Sequence, residues 1–140
     1  MLKRIILALA VLLLPASFAA AEPSAADREA IRSVIEQQLN AFQRDDANEA
    51  FSYASPTIKQ KFGDPANFME MVREGYETVY RPGAVEFRKL GMVHGRLAQR
   101  VFMTGPDGRA MIAFYFMEKQ EDGSWRIDGV RMMPAPDAAV

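Results

Sequence analysis

The side chains of this sequence best suited to moving a proton are Asp128, in the run Trp125-Arg126-Ile127-Asp128-Gly129-Val130, Tyr115, inside an apolar run, and His94, the single histidine. A carboxylate partly buried beside a tyrosine hydroxyl either finds a charge partner or has its pKa raised, and a raised carboxyl is a usable general acid or base. Asp128 with Tyr115 is therefore the candidate catalytic pair, with His94 as the alternative proton carrier. Arg126 and Arg131 lie close to Asp128 in sequence, and a structural ion pair explains the same carboxylate equally well. His94 precedes Gly95, which puts it at a strand end near solvent.

Tyr53, Tyr76 and Tyr80 fall where helix ends could line the mouth of a pocket, and each joins apolar area to one hydroxyl. They are the candidate ligand contacts; as core residues whose oxygens reach water they need no ligand at all. Metal chemistry is poorly provided for. The chain has no cysteine, so thiolate zinc sites, iron–sulfur clusters and thiol nucleophiles are excluded, and one histidine without an ordered set of carboxylates makes no zinc site. Met69, Met71, Met132 and Met133 are soft enough for cuprous copper, yet Met71 fits the apolar face of a helix and the strand methionines Met132 and Met133 suit an adaptable packing or dimer surface. No metal and no cofactor are expected. Gly105-Pro106-Asp107-Gly108 is too short to cradle a phosphate and reads as a turn between strands.

The elements that must position these residues divide into a helical half and a strand half. Ser24 and Asp27 have capping-box spacing, and Ile31, Val34, Ile35, Leu39 and Phe42 then recur on one side of a first helix. Asp45-Asp46, Ser55-Pro56 and Asp64-Pro65 each open a further helical piece, to about Tyr53, Phe62 and Gly75, before the break at Arg81-Pro82-Gly83. From Val85 the period becomes two. Strands at about Val85 to His94, Arg96 to Thr104, Arg109 to Gln120 and Trp125 to Met133 predict an antiparallel meander. Asp122-Gly123 is read as a two-residue hairpin turn, which sets Phe116 opposite Gly129 and Met117 opposite Asp128, while Gly105 to Gly108 leaves two registers open.

Alternation leaves both faces of this sheet apolar. Phe114, Phe116, Trp125 and Ile127 form the side expected under the helices, having the larger apolar area. The other side, with Met111, Tyr115, Met117, Val130 and Met132, would then be an exposed apolar patch, and a homodimer through that face is the expectation, with Asp128 inside or rimming it.

The N-terminus bears on where the chain works. Lys3 and Arg4, an apolar run from Ile5 to Leu14, Pro15 and then Ala19-Ala20-Ala21 have the order of an export signal, too short to stay as a membrane span. The expected layout is a signal peptide at 1–21, one domain at 22–133 and a frayed tail at 134–140, giving a soluble periplasmic or secreted protein. Losing Lys3 and Arg4 takes the formal net charge from −1 to −3. Lys and Arg are scattered rather than gathered in a stripe, so neither nucleic acid nor an anionic membrane is expected as a partner.

Long helix, short helices and a curled meander resemble the nuclear transport factor two-like superfamily of cone-shaped α+β domains. More narrowly, Ala54-Ser55-Pro56, Phe62-Gly63-Asp64-Pro65, Gly75-Tyr76, Arg81-Pro82 and Trp125-Arg126-Ile127-Asp128-Gly129-Val130 resemble an uncharacterised exported bacterial family within it. The resemblance implies a conical pocket between helices and sheet, frequent dimerisation, and roles from isomerase or dehydratase chemistry to plain binding. Taken together, the expectation is an exported homodimer that binds a small apolar ligand or a protein partner without catalysis. The alternative is a cofactor-independent acid-base isomerase or dehydratase.

Overall fold

The computed structural model describes residues 22–136; the expected signal peptide at 1–21 and residues 137–140 of the expected tail lie outside the described residues. Ser24 Oγ accepts the Asp27 backbone N–H at 3.0 Å and Asp27 Oδ2 accepts that of Ser24 at 3.1 Å, so both orphan donors are satisfied and α1 (Ala25–Gln43) begins there. Asp46, Ser55 and Asp64 cap α2 (Ala47–Ser52), α3 (Pro56–Phe62) and α4 (Pro65–Gly75), each side chain accepting the backbone N–H three residues on. A single turn, α5 (Glu77–Tyr80), follows after Tyr76 leaves helical geometry, so the helical half has five pieces where four were expected.

Strands β1 (Val85–Val93), β2 (Arg96–Thr104), β3 (Ala110–Lys119) and β4 (Trp125–Pro134) pair in sequence order, all antiparallel, and the helices pack against this sheet, which does not close into a barrel. The first hairpin turns at His94-Gly95, both at positive φ (50° and 76°), which is the backbone of a two-residue type I′ turn. In the second, Thr104 pairs with Ala110, which settles the open register and sets Val101 opposite Ala113 and Gln99 opposite Tyr115. Beyond Pro134, the Ala135 N–H still donates to Ala110 O at 2.9 Å.

The third hairpin departs from expectation in a way that decides the faces. Gln120 N–H donates to Ser124 O at 2.8 Å, so the loop has three residues with Gly123 at φ 86°, not the two-residue turn expected at Asp122-Gly123. Lys119 and Met117 therefore face Trp125 and Ile127, and a bulge at Asp128 restores the expected pairing of Phe116 with Gly129. Asp128 is the extra residue and has no opposite number on β3. Trp125 and Ile127 consequently share a face with Met117 and Tyr115, not with the phenylalanines.

That shared face is the one the helices cover. Tyr115 is completely buried and Met117 8 % exposed, in one cluster with Ile31, Ile35, Phe42, Val101 and Ala113. Val130 and Met132 are half-buried against it. Each large apolar side chain removed from water here contributes about 1.5–3 kcal/mol. The surface expected to meet a second copy through Met111, Tyr115, Met117, Val130 and Met132 is thus sealed mainly by the chain's own helices, and the exposed patch that argued for a homodimer there does not exist. Area was the wrong criterion, because the opposite face is covered by arginines instead. Arg88 stacks over Phe102, Arg96 over Phe116 and Arg100 over Phe114, with guanidinium carbons 5.1, 4.3 and 5.5 Å from the ring centres. An arginine stem and planar head shield a ring while keeping the charge wet.

Candidate functional site

The 53–55 segment runs along the outer edge of β4. Ile127 N–H donates to Tyr53 O at 2.9 Å and Ser55 N–H to Ile127 O at 2.8 Å, with Ala54 bridged to Ile127 in parallel. This covers part of an edge strand whose backbone would otherwise be open. It also fixes the start of α3 beside the bulge. Ser55 is fully buried and serves two groups: its Oγ accepts the Ile58 N–H at 3.2 Å and donates to Asp128 Oδ1 at 2.6 Å. Asp128 Oδ2 accepts Arg96 Nη2 at 2.8 Å, reached across the Phe116 ring. Both carboxylate oxygens of Asp128 are therefore engaged, by a hydroxyl and a guanidinium.

Between α3, α4 and β4 lies a cavity of about 280 Å³. Its walls are mostly apolar, with Ile58 and Phe62 from α3, Phe68, Met71 and Val72 from α4, and Ile127 and Val130 from β4. Four polar side chains reach it. Gln38, buried on the apolar stripe of α1, donates Nε2 to Ala50 O at 3.1 Å. Tyr76 donates its hydroxyl to Val130 O at 3.3 Å. Asp128 is held as described, and Lys61 is the exposed member of the lining, with its Nζ 5.5 Å from the centre of the Phe62 ring. Among the described residues no carboxylate lies within ion-pair distance of Lys61.

Of the residues singled out from sequence, Asp128 and Tyr76 line this cavity together. Tyr115 sits in the core, its hydroxyl the one buried side-chain polar atom without a hydrogen-bond partner among the described residues. Complete burial pushes that hydroxyl's pKa well above the usual tyrosine value. It makes no acid-base pair with Asp128, whose partners are Ser55 and Arg96. His94 is exposed at the tip of the first hairpin. Tyr53 bonds Gln37 Oε1 at 3.0 Å and Glu49 Oε1 at 2.9 Å, tying α2 to α1, and burial followed by the Glu49 contact raises its pKa. Tyr80 bonds Asp45 and Arg73 under the plane of Arg81, 4.0 Å from its centre, and that hydrogen bond is the main reason the Asp45 carboxyl titrates low. Met69 is buried and Met71 half-buried, whereas Met132 and Met133, being consecutive, point to opposite sheet faces. Among the described residues no group of three or more His, Cys, Asp or Glu could hold a metal ion, and no helix is long and apolar enough to cross a membrane.

Gln38, Ser55 and Lys61 were not anticipated as site residues. Gln38 carried a signal, being a polar residue at the fourth position after Val34 and the fourth before Phe42 on an otherwise apolar stripe. Lys61 carried none.

The family described as "Domain of unknown function (DUF4864)" matches residues 24–140, which takes in every element above. The chain belongs to that family. No curated protein matches it, and no solved structure matches it. For this DUF4864 domain the site itself must supply the functional reading.

Proposed function

We propose that this domain binds a small, mainly apolar molecule in the cavity between α3, α4 and β4, and that it does so without catalysing a reaction. The observation that carries the reading is the state of Asp128: the one carboxylate in the cavity lining has both oxygens engaged, by Ser55 and Arg96, while apolar side chains supply most of the wall. A general base turns a lone pair to its substrate, whereas here one on each oxygen is committed to Ser55 or Arg96, contacts that give the carboxylate a structural role. Apolar walls with a few fixed polar groups are what binding sites for small molecules present. The cavity corresponds to roughly nine waters at about 30 Å³ each, which suits a ligand of about that many heavy atoms.

The lysine and arginine at positions 3 and 4, the apolar run after them and the small residues before position 22 support export, so the ligand would be met outside the cytoplasm. Five helical pieces over a four-stranded meander are also compatible with the resemblance to the nuclear transport factor two-like superfamily, which implies a pocket between helices and sheet. The direct test is a ligand-observed NMR screen of small alkanols, alkanoates and alkylbenzenes, followed by amide shift mapping. Binders should move Lys61, Tyr76 and Val130. If no apolar probe binds at millimolar concentration, or if binders map to the arginine-covered face, the proposal fails. N-terminal sequencing of protein recovered from the exported fraction tests export, and a chain that still begins at Met1 would reject it.

A further inference from the structure

We infer that the ligand is an anionic amphiphile, a chain of about eight carbons ending in a carboxylate, with the head against Lys61 and the tail among Phe68, Val72 and Val130; this rests on the binding function proposed above. Two charged side chains line the cavity, and they are not equivalent. Asp128 is already neutralised: Arg96 Nη2 sits 2.8 Å from one oxygen and Ser55 Oγ 2.6 Å from the other. A cationic ligand would have to share it with the Arg96 guanidinium and meet that like charge. Lys61 is not neutralised, since no carboxylate among the described residues lies within ion-pair distance.

Lys61 is also the exposed residue of the lining, so the unpaired charge belongs to the solvent side of the cavity, and the wall behind it is apolar. That order, wet cation outside and dry wall inside, matches a molecule whose charge is at one end. The ammonium lies 5.5 Å from the Phe62 ring centre, so the stem already follows the apolar wall and the charge is presented beside it. Room for roughly nine water-sized groups sets the tail length at about eight methylene or methyl carbons. Longer tails would leave the cavity and gain little.

Nonanoate, octanol and octylammonium share an eight-carbon saturated tail and differ in the head, so isothermal titration of each into the purified full chain, with amide shift mapping, separates head from tail. Nonanoate should bind about threefold to fivefold more tightly than octanol, the scale of one partly exposed ion pair, and octylammonium most weakly. Lys61→Met keeps the stem and removes the charge; it should bring nonanoate down to octanol and leave octanol unchanged. Lys59→Met, on the same helix and outside the lining, should change neither. Tails from heptanoate to nonanoate should gain about fourfold per methylene and then level off. Equal affinity for octanol and nonanoate, or an unaltered preference in Lys61→Met, overturns the anionic head and leaves apolar binding standing. Failure of all three octyl compounds to bind overturns both.

Discussion

Tyr115→Phe removes one oxygen from the centre of the core, and the structure predicts that the protein becomes more stable for its loss. Tyr115 is completely buried, and its hydroxyl has no partner among the described residues. A buried donor left unpaired costs about 1–3 kcal/mol, the desolvation that no hydrogen bond offsets. Against this stand the oxygen's packing contacts, about 0.1–0.2 kcal/mol each, which a rigid neighbourhood would forfeit. The balance is a gain of about 1 kcal/mol. In urea, with a slope of about 1–3 kcal/mol per molar, the unfolding midpoint should rise by about 0.3–1 M at unchanged slope. The pH dependence supplies a second arm. Burial holds the folded hydroxyl neutral far above the ordinary tyrosine pKa near 10. The folded state therefore keeps its proton more tightly than the unfolded state, and this contribution is fully present below about pH 10 and lost as pH rises beyond it. Tyr115→Phe should lack that part of the alkaline decline. A midpoint lowered by more than about 0.3 M at unchanged slope would refute the reasoning, because it would show the hydroxyl to be satisfied in solution.

Asp27 caps α1 and also accepts Trp125 Nε1 at 3.2 Å and Lys119 Nζ at 3.3 Å; the Ser24 backbone and side-chain hydrogen bonds, ahead of the Trp125 bond, lower its pKa to about 2. Since the folded value is depressed, its contribution is present above about pH 4 and lost between about pH 4 and pH 2, and Asp27→Asn should flatten that limb of the urea midpoint followed by Trp125 fluorescence. Ser55→Ala removes the cap of α3 and one bond to Asp128 together, so it should lower stability by about 2 kcal/mol in denaturant unfolding; a cost below about 0.5 kcal/mol would remove Ser55 from its double role. His94→Asn should leave stability unchanged or raise it by a few tenths of a kcal/mol, whereas Gly95→Ala should cost about 1 kcal/mol, because a type I′ turn favours Asn-Gly and penalises a Cβ at positive φ; equal effects from the two would contradict the turn geometry.

Helix starts and strand order were legible because each depends on local chemistry. Ser24 with Asp27, Ser55-Pro56 and Asp64-Pro65 announce caps that the folded chain uses at those positions. The faces of the sheet were not legible, and the reason is one residue. Asp122-Gly123 supports either a two-residue or a three-residue loop, and the longer loop flips Trp125 and Ile127 to the other side until the bulge at Asp128 corrects the register. The same bulge determines Asp128 itself, which is directed by Ser55 and Arg96, partners 73 and 32 residues away in sequence. Its sequence neighbours Arg126 and Arg131 were the obvious candidates and are not used. Tyr76 follows the end of α4 and lines the cavity; Lys61 was not legible as a lining residue, since what sets it apart is the lack of an ion-pair partner among the described residues, and that is a property of the folded surface.

Arg96 joins the two faces of the sheet, and this yields a final expectation that only such a link produces. Its guanidinium lies 4.3 Å from the centre of the Phe116 ring, on the face away from the helices, and its Nη2 neutralises a carboxylate that belongs to the cavity lining. Arg96→Ala should cost stability modestly, since the Arg96 side chain is 49 % exposed and such pairs and stacks are each worth about 0.5–1 kcal/mol. In the cavity its effect should be selective. With Arg96 gone, Asp128 keeps Ser55 but loses its counter-charge, and the lining falls from a net positive charge at Lys61 to none. Two carboxylates separated by about 8 Å repel by ~0.5 kcal/mol in water, about twofold in affinity, and this is the scale expected for a carboxylate ligand facing the uncompensated Asp128. Nonanoate should therefore weaken about twofold in Arg96→Ala while octanol is unaffected. Arg100→Ala is the matched control, because Arg100 stacks on Phe114 across the same face and makes no ion pair among the described residues. If nonanoate and octanol weaken together in Arg96→Ala, the pair acts by holding the bulge and α3 in place, and the charge of Asp128 is not sensed inside the cavity.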